Sequence, residues 1–486
     1  MTSSAHLRCM AIAAAWVVLC GVVSSSAAQA ERPPNLVFIL ADDLGWRDLG
    51  GYGGDLADTP RLDKLAAEGM RFTNAYAPAP ICSASRASFL TGRSPARLHF
   101  EFVTKPPGVK PPVRAVEPPP YTRDLPLAEV TIAEALAPRG YTTGFFGKWH
   151  VNEHYQRYLG WSPTHGPRKQ GFHAPIETFG SHPYAGESSV KAGAAARDGE
   201  FPADEVTDSA IRFLEQHREK PFCLWLCHFY VHTPVRAPTK WLHEKYQPRT
   251  SEGPGDPERR AHYAAFLETL DHYVGQLLDA LDRLELADNT LVVFTSDNGG
   301  HPEYAANGPL RGSKWNLYEG GIRVPLIARW PGKIDAGSTC DAPVIGGDIL
   351  PTFCEAAGAA LPEAPLDGRS LMPLLTGGCE SWDSRPIVWH FPYYHPEKGY
   401  HEALPEIGVN DFAVSQTRPQ SALREGRYKL LYFHEDGRSE LYDLAADPSE
   451  AHDLSRQERR RSKQMTARLI DLLREQGARM PTTPKP

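Results

Sequence analysis

Four segments of this chain end an apolar run in residues able to do chemistry. "NLVFILADD" closes on Asp42 and Asp43, "TTGFFGKWH" on Lys148 and His150, "PFCLWLCHFYVHTP" on His232, and "TLVVFTSDNGG" on Asp297 and Asn298. Three carboxylates and an amide oxygen form a hard, oxygen-only set suited to Ca2+ or Mg2+ rather than zinc. Asp and Asn at such places also cap helices and turns; what favours a cation is that both pairs stand at strand ends. Lys148, His150 and His232 share that placement and add a positive charge and two acid–base groups, so an anion site beside the cation is expected. Singly, each would be an ordinary solvated lysine or satisfied histidine. Lys314, in "RGSKWNLYEGGIRVP", puts a further cation on a glycine-rich loop, where spacing alone reads as a surface lysine.

The stretch "ICSASRASFLTGRSP" places Cys82 in front of a short predicted helix that contains Arg86 and is closed by Gly92. On residue type alone Cys82 is a thiol nucleophile, a metal ligand, half of a disulfide or the precursor of another group. The remaining cysteines beyond the leader, Cys223, Cys227, Cys340, Cys354 and Cys379, are too sparse for a disulfide scaffold. Cys223 and Cys227 share one predicted strand, with Cα atoms about 13 Å apart at the usual strand rise, beyond disulfide reach. No CxxC pair exists, so a structural zinc site has no support.

The elements that must carry these residues are an alternation of strands and helices. Continuous rather than alternating apolarity in the four runs suits strands buried on both faces of a parallel sheet. Thr59-Pro60 opens a helix stopped by Gly69, and Thr131 with Glu134 makes a capping box for "TIAEALAPRG". Tyr263, Phe266, Leu267, Leu270, Val274, Leu277, Leu278, Leu281 and Leu284 recur at helical spacing. The fold class is therefore α/β, with ligands expected at the carboxyl ends of the strands. The C-terminal part differs: "RYKLLYFHEDGRSELYDL" reads as two strands around a turn, followed by a helix around "MTARLIDLLREQG", which predicts a smaller α+β domain.

Composition narrows the partners and the compartment. A chain of 486 residues with a formal net charge of -7 lacks the basic surface of a nucleic-acid binder. His6 and Arg8 precede the apolar run "MAIAAAWVVLCGVV", and small residues follow at Ala28 and Ala30, the pattern of a secretory signal peptide covering 1–30. The run is too short for a membrane span, and a periplasmic or secreted protein is expected. None of the eight asparagines begins an Asn-x-Ser/Thr site, which favours a bacterial source.

"CSASRASFLTGR" resembles the signature of the type I sulfatases, Cys-x-(Pro or Ala)-x-Arg with a Thr-Gly-Arg tail. "NLVFILADDLGW", "GYTTGFFGKWH", "HTP", "TLVVFTSDNGG", "LYEGGIRVPLIARWPG" and "ELYDLAADPSE" follow in the family's order over nearly the whole chain beyond the leader. The resemblance implies an alkaline phosphatase-like fold, a large mixed, mostly parallel sheet sandwiched by helices, with an antiparallel sheet in the C-terminal domain. The division expected is 31–375 for the catalytic domain and 376–486 for the C-terminal subdomain. It further implies that Cys82 is oxidised to formylglycine by a separate, transiently bound enzyme. The hydrated aldehyde attacks sulfur with one hydroxyl and expels sulfate with the other.

By matched position, Asp42, Asp43, Asp297 and Asn298 resemble the Ca2+ ligands, Mg2+ being the alternative. Arg86 resembles the residue that fixes the nucleophile, Lys148 and Lys314 the sulfate-binding lysines, His150 the base for elimination and His232 the acid for the leaving alcohol. The expected activity is hydrolysis of sulfate esters of a carbohydrate, with aryl sulfates as artificial substrates. The sequence departs from the family pattern after "GKWHV", which continues "NEHYQRYLGW", and at His173, where aspartate is frequent. These places bear on the sugar, and His165, His173, His182 and the cluster "WHFPYYHPEKGYH" are candidates for the leaving-group pocket. Packing of loop histidines between domains explains them equally well. Two further readings are a phosphonate monoester or phosphodiester hydrolase of the same superfamily, and a sulfated-glycan binding protein with Cys82 unconverted. "GKWH", "HTP" and "ELYDL" count against the first, and the filled catalytic positions against the second.

Overall fold

The four apolar runs form the strands at the centre of an eight-stranded sheet. The computed structural model describes residues 32–182, 196–251, 256–305, 307–377, 382, 385–395 and 417–484. The expected signal peptide, Cys379 and the last six residues of "WHFPYYHPEKGYH" lie outside the described residues. The sheet contains β1 (Asn35–Ala41), β2 (Met70–Phe72), β3 (Thr142–Gly147), β4 (Ala174–Ile176), β5 (Phe222–Cys227), β6 (Thr290–Ser296), β7 (Leu326–Arg329) and β8 (Ser338–Cys340) in the order β4-β3-β5-β1-β6-β7-β2-β8. From β4 to β6 every pairing is parallel, and β7 pairs antiparallel with both β6 and β2.

The unbroken apolarity of the strands has a direct cause. In β1, Val37, Ile39 and Ala41 enter a core shared with α1 (Pro60–Glu68), α3 (Glu205–His217), α4 (Lys240–Thr250) and α5 (Pro257–Arg283). Leu36, Phe38 and Leu40 enter the opposite core with α2 (Cys82–Thr91) and α6 (Ile349–Ala357). Successive side chains point to opposite faces, so a strand covered on both sides has no polar face. Each fully buried Leu, Ile or Phe contributes about 1.5–3 kcal/mol. The predicted helices are present, including the reciprocal Thr131–Glu134 cap. Their apolar stripes are what cover the sheet.

The second sheet has four antiparallel strands, β9 (Ile387–Phe391), β10 (Gln420–Glu425), β11 (Tyr428–Phe433) and β12 (Ser439–Asp443), backed by α7 (Arg459–Glu475). The sequence pattern predicts β11, β12 and α7; β9 and β10, although as long as the other two strands, escaped it because no tight turn joins them as "EDGR" joins β11 to β12. Leu423, Leu430 and Leu441 face Met465, Leu469 and Leu473 of α7. Ala422 and Leu431, on the other face, pack with Tyr76, Trp315, Tyr318 and Ile322. Cys82, Cys223, Cys227 and Cys354 are free, whereas Cys340 is disulfide-bonded.

A buried ionic cluster joins this sheet to the loop that carries Lys314. Lys429 Nζ lies 2.9 Å from Glu319 Oε1 and 3.0 Å from Glu450 Oε1, and the Glu319 backbone N–H donates to Glu450 Oε2 at 2.6 Å. Tyr76 Oη donates to Glu319 Oε2 at 2.7 Å and in turn meets Arg424 Nη1. Tyr318 and Tyr442 both donate to Glu440 Oε2 at 2.7 Å, a second polar tie to the same loop. Lys429, Glu319 and Glu450 have no exposed surface, so removing one charge strands the others in a low-dielectric setting. Lys429→Met should cost about 3–5 kcal/mol of unfolding free energy in urea titration. Adding Glu450→Gln should restore part of it; a double variant no better than the single would show that the loss is packing alone.

Candidate active site

Strand register delivers most of the site. Asp42, Lys148 and Asp297 each stand one residue beyond the ends of β1, β3 and β6. The equivalent residue after β5 is His228, but its ring turns towards Tyr230 and Tyr273. His232 arrives instead from the following turn, held to the end of β1 by Asp42 N to Tyr230 O at 2.8 Å and Val231 N to Asp42 O at 2.7 Å. Gly147 has φ +95, and a Cβ there would fall 2.0 Å from Cys227 O, so only glycine lets β3 hand over to Lys148. Asp43, His150 and Trp315 adopt φ of 63°, 57° and 77°. Non-glycine residues in the left-handed region are sparse and concentrate at functional sites.

Cys82 is the first residue of α2, where backbone N–H groups lack helical partners, and Arg86 lies one turn further on the same face. Ser85 Oγ accepts from Ala79 N at 3.0 Å and Gly92, at φ +68, closes the helix through a bond to Ser88 O. Cys82 Sγ lies 3.5 Å from Asp42 Oδ1 and 3.9 Å from Asp43 Oδ1. Lys148 Nζ reaches Asp42 Oδ2 at 2.5 Å, and Lys314 Nζ reaches Asp43 Oδ2 at 2.6 Å. Arg86 Nε and Nη2 grip Asp297 Oδ2 at 2.9 and 2.8 Å, and Nη1 donates to Lys148 O at 2.6 Å. His232 Nε2 is 3.7 Å from Asp43 Oδ2. Lys314, spaced like a surface residue in the sequence, is buried.

Burial and the neighbouring charges displace several of these groups from their ordinary titration ranges. Burial pushes the Cys82 thiol well above its ordinary value, Asp297 adding to the rise against Lys148 and Lys314. Burial also raises Asp297, helped by Asp42 and opposed by Arg86 and Lys148. For Asp43 burial is outweighed by Lys314, His232, Lys148 and His301, which hold the carboxyl below the usual range. His150 is driven well down by burial and then Lys148, and His232 is lowered to about 3 by burial and Lys314, with Asp43 opposing. Both rings are neutral near pH 7 in the protein alone.

The donors fit a hard divalent cation. Asp42, Asp43, Cys82 and His232 present ligand atoms within 4.8 Å of one another. Asn298 Nδ2 donates to Asp43 Oδ1 at 2.8 Å, and Asn298 Oδ1 is buried with no hydrogen-bond partner. Asp297 Oδ1 accepts from Asp43 N at 3.3 Å. A buried orphan amide oxygen beside three buried carboxylates could hold a hard divalent cation, since oxygen donors in a concave, charge-dense site are what such ions need.

All ten residues singled out in the sequence therefore converge, with His150 and Cys82 lining one cavity of about 230 Å³ together with His232, Lys314, Thr104, Lys105, His154, Tyr158 and Trp315. Thr104, Lys105, His154, Tyr158 and Trp315 escaped the sequence analysis, as did His301, a buried ring 5.2 Å from Trp315. The one signal for His154 and Tyr158 was the departure of "NEHYQRYLGW" from the family pattern. The histidines proposed there for the pocket do not line it. His165 Nδ1 meets Thr164 Oγ1 at 3.0 Å and His173 Nδ1 meets Thr143 Oγ1 at 2.9 Å, while His182 sits behind the site with Nε2 3.4 Å from His232 O. His390 bonds Ser421 Oγ at 2.7 Å in the second sheet; His395 stacks edge-on to Trp315 at 4.8 Å.

Comparison with known proteins places this geometry. Residues 34–359 match the family described as "Sulfatase", and residues 313–478 match "N-sulphoglucosamine sulphohydrolase, C-terminal". The chain is 34% identical over 479 residues to arylsulfatase A of Homo sapiens, covering 87% of this chain and 83% of that protein. It is 33% identical over 393 residues to N-acetylgalactosamine-6-sulfatase of Homo sapiens, covering 75% and 69%. Among solved structures, Ps i-CgsB superposes with a TM-score of 0.71 at 27% identity, covering 91% of this chain and 93% of that one. The phosphonate monoester hydrolase of Agrobacterium radiobacter, at 22% identity and a TM-score of 0.61 over 93% and 100%, shares the fold. The matched family spans both the helix that begins at Cys82 and the strand ends that carry the carboxylates, and the chain belongs to the sulfatase family as a sulfuric ester hydrolase.

Proposed function

We propose that this enzyme removes sulfate from a sulfated carbohydrate, using formylglycine formed from Cys82 and a bound Ca2+, with Mg2+ as the alternative ion. The observation that carries the reading is convergence at one point: the Cys82 thiol faces Asp42 and Asp43, and Lys148 and Lys314 close on the same two carboxylates. A buried thiol held protonated beside carboxylates is a poor nucleophile as cysteine. Conversion to a group with hydroxyl character removes that obstacle. Solved relatives in complex with k-i-k-neocarrahexaose and with D-glucosamine-2-N,6-O-disulfate support a sugar as the alcohol.

In this reading Asp42, Asp43, Asp297 and Asn298 would hold the cation, which would supply neutralisation of the carboxylates and Lewis-acid polarisation. Arg86 keeps Asp297 and the Lys148 carbonyl in place under the nucleophile. Lys148 and Lys314, released from the carboxylates, bind the sulfate oxygens and offset charge in a loose transfer. A charge about 4 Å away contributes up to roughly 4 kcal/mol at an effective dielectric near 20. His232 gives its proton to the departing sugar oxygen; the negative charge of the bound sulfate offsets Lys314 and favours the protonated ring. His150, neutral and buried, has an unpartnered Nδ1 and takes the proton whose loss expels sulfate. We further propose that residues 1–30 direct secretion and are removed, and that 31–375 and 376–486 form the catalytic domain and C-terminal subdomain.

The peptide containing Cys82, from protein made in the native host, should have the mass of the aldehyde, and Cys82→Ser should lower turnover of 4-nitrophenyl sulfate by about 10³-fold or more. Intact thiol throughout would favour a binding protein, and faster cleavage of the matched phosphodiester would favour phosphonate-type chemistry. A second outcome concerns the cation. Arg86→Met removes the charge that opposes protonation of Asp297, so Ca2+ affinity should fall about 10–100-fold by calorimetric titration. Because the Asp297 carboxyl is raised and binds metal only when ionised, affinity should decline as pH falls, beginning at a higher pH in the variant. An unchanged affinity would remove Asp297 from the ligand set.

A further inference from the structure

The cavity above Cys82 has two tiers of different character. Its floor is lined by Cys82, His150, His232 and Lys314, with Asp42 and Asp43 in contact with Cys82 and Lys314 beneath it. Its outer wall comes from two segments outside the family motifs, residues 103–106 and the loop after His150. Thr104 N donates to Ser83 Oγ at 3.3 Å, which ties the first segment to the residue next to Cys82. Thr104 Oγ1 meets His154 Nε2 at 3.3 Å, and His154 stacks edge-on to Tyr158 at 4.9 Å, which ties the two segments to each other. Lys105 follows Thr104, half-buried, with its ammonium 5.6 Å from the centre of the Phe102 ring, and it precedes Pro106-Pro107, which limits the backbone there. None of the described residues lining the cavity above the floor is acidic.

Sulfate bound at Lys148 and Lys314 leaves the alcohol portion of the ester against this outer wall. Positive charge from Lys105 reaches the wall strongly enough that, after burial, it is the main cause lowering His154 to about 4. Lys105 thus puts a positive charge in the wall, with Thr104 and Tyr158 lining the cavity beside it. We propose that the leaving alcohol of the natural substrate carries a second anionic group, received by Lys105 with Thr104 and Tyr158 beside it. The inference rests on the sulfate-ester reading of the floor. It makes Lys105 a residue that determines specificity, because it touches the sugar and leaves the sulfur untouched. Low-dielectric walls strengthen such a contact, since a charge in a cleft is screened less than one on open surface.

The test uses the full-length converted enzyme with three esters matched in leaving-group pKa: 4-nitrophenyl sulfate, a ring-carboxylate analogue and a ring-sulfonate analogue. The wild-type protein should favour the two anionic esters by about tenfold in kcat/KM at low salt, with the preference shrinking as ionic strength rises. Lys105→Met should lose about tenfold on the anionic esters and far less on 4-nitrophenyl sulfate, while Lys105→Arg keeps the preference. Preference for carboxylate over sulfonate, or the reverse, distinguishes a uronate-like from a doubly sulfated alcohol. Equal kcat/KM on all three esters, or equal losses on all three in Lys105→Met, would overturn the inference while leaving the sulfatase reading intact. Failure to cleave 4-nitrophenyl sulfate at all would instead strike the reading of the floor, and this inference with it.

Discussion

Three buried carboxylates at one point repel one another and are starved of water, and nearly everything else in the site answers that constraint. Asp42, Asp43 and Asp297 are each fully buried. Each has its own cation in contact: Lys148 for Asp42, Lys314 for Asp43 and Arg86 for Asp297. In the proposed reading these same cations bind a sulfate anion once a divalent ion replaces them on the carboxylates, so the site would have two charge states, one closed on itself and one open to an anion. Isolated buried charges are strongly disfavoured, so loss of any one member disturbs the rest.

Holding that cluster together is a task shared by two sheets. The parallel sheet brings three of the charges to neighbouring strand ends, but Lys314 comes from a loop with no strand to fix it. Its place is set by contacts at both ends. Lys314 N bonds Gly300 O and Gly299 N bonds Gly321 O, so the loop is stitched to the residues just after Asn298. A Cβ at Gly299 would lie 2.0 Å from Gly320 O, which is why a glycine stands there. From the other side, Glu319 is gripped by Lys429 and Glu450 of the second sheet and its following loop. The motifs "LYEGGIRVP" and "ELYDLAADPSE" are thus two halves of one clamp, although 114 residues separate the end of the first from the start of the second; they meet through directional hydrogen bonds and through the buried Lys429 that pairs with a glutamate of each.

The division between floor and outer wall follows from the same architecture. Apart from Lys314, the floor is made by residues at or just beyond the ends of regular elements, where strand register allows little variation. The wall is made by connecting segments, residues 103–106 and the loop after His150, which can change without disturbing the sheet. Chemistry at sulfur and choice of alcohol can therefore vary independently. The neighbours that share this fold while carrying different names are consistent with that separation.

Much of this was legible in the sequence because its signals are local. Continuous apolar runs declared the strands, and abrupt polar endings declared which edge does chemistry. The Thr131–Glu134 cap and the α5 stripe declared helices, since capping and periodicity involve residues a few positions apart. The cysteine signature, with Arg86 one helical turn on, declared the family. What tertiary structure decided were the relations across long separations. It turned Lys314 from a surface-like lysine into a buried partner of Asp43, directed His228 away and His232 in, and placed His165 and His173 outside the pocket where their loops had suggested a role. It also gathered Thr104, Lys105, His154 and Tyr158 into one wall. Periodicity and spacing determine how a segment folds on itself, but which segments meet, and with what charge between them, is decided by packing of the whole chain.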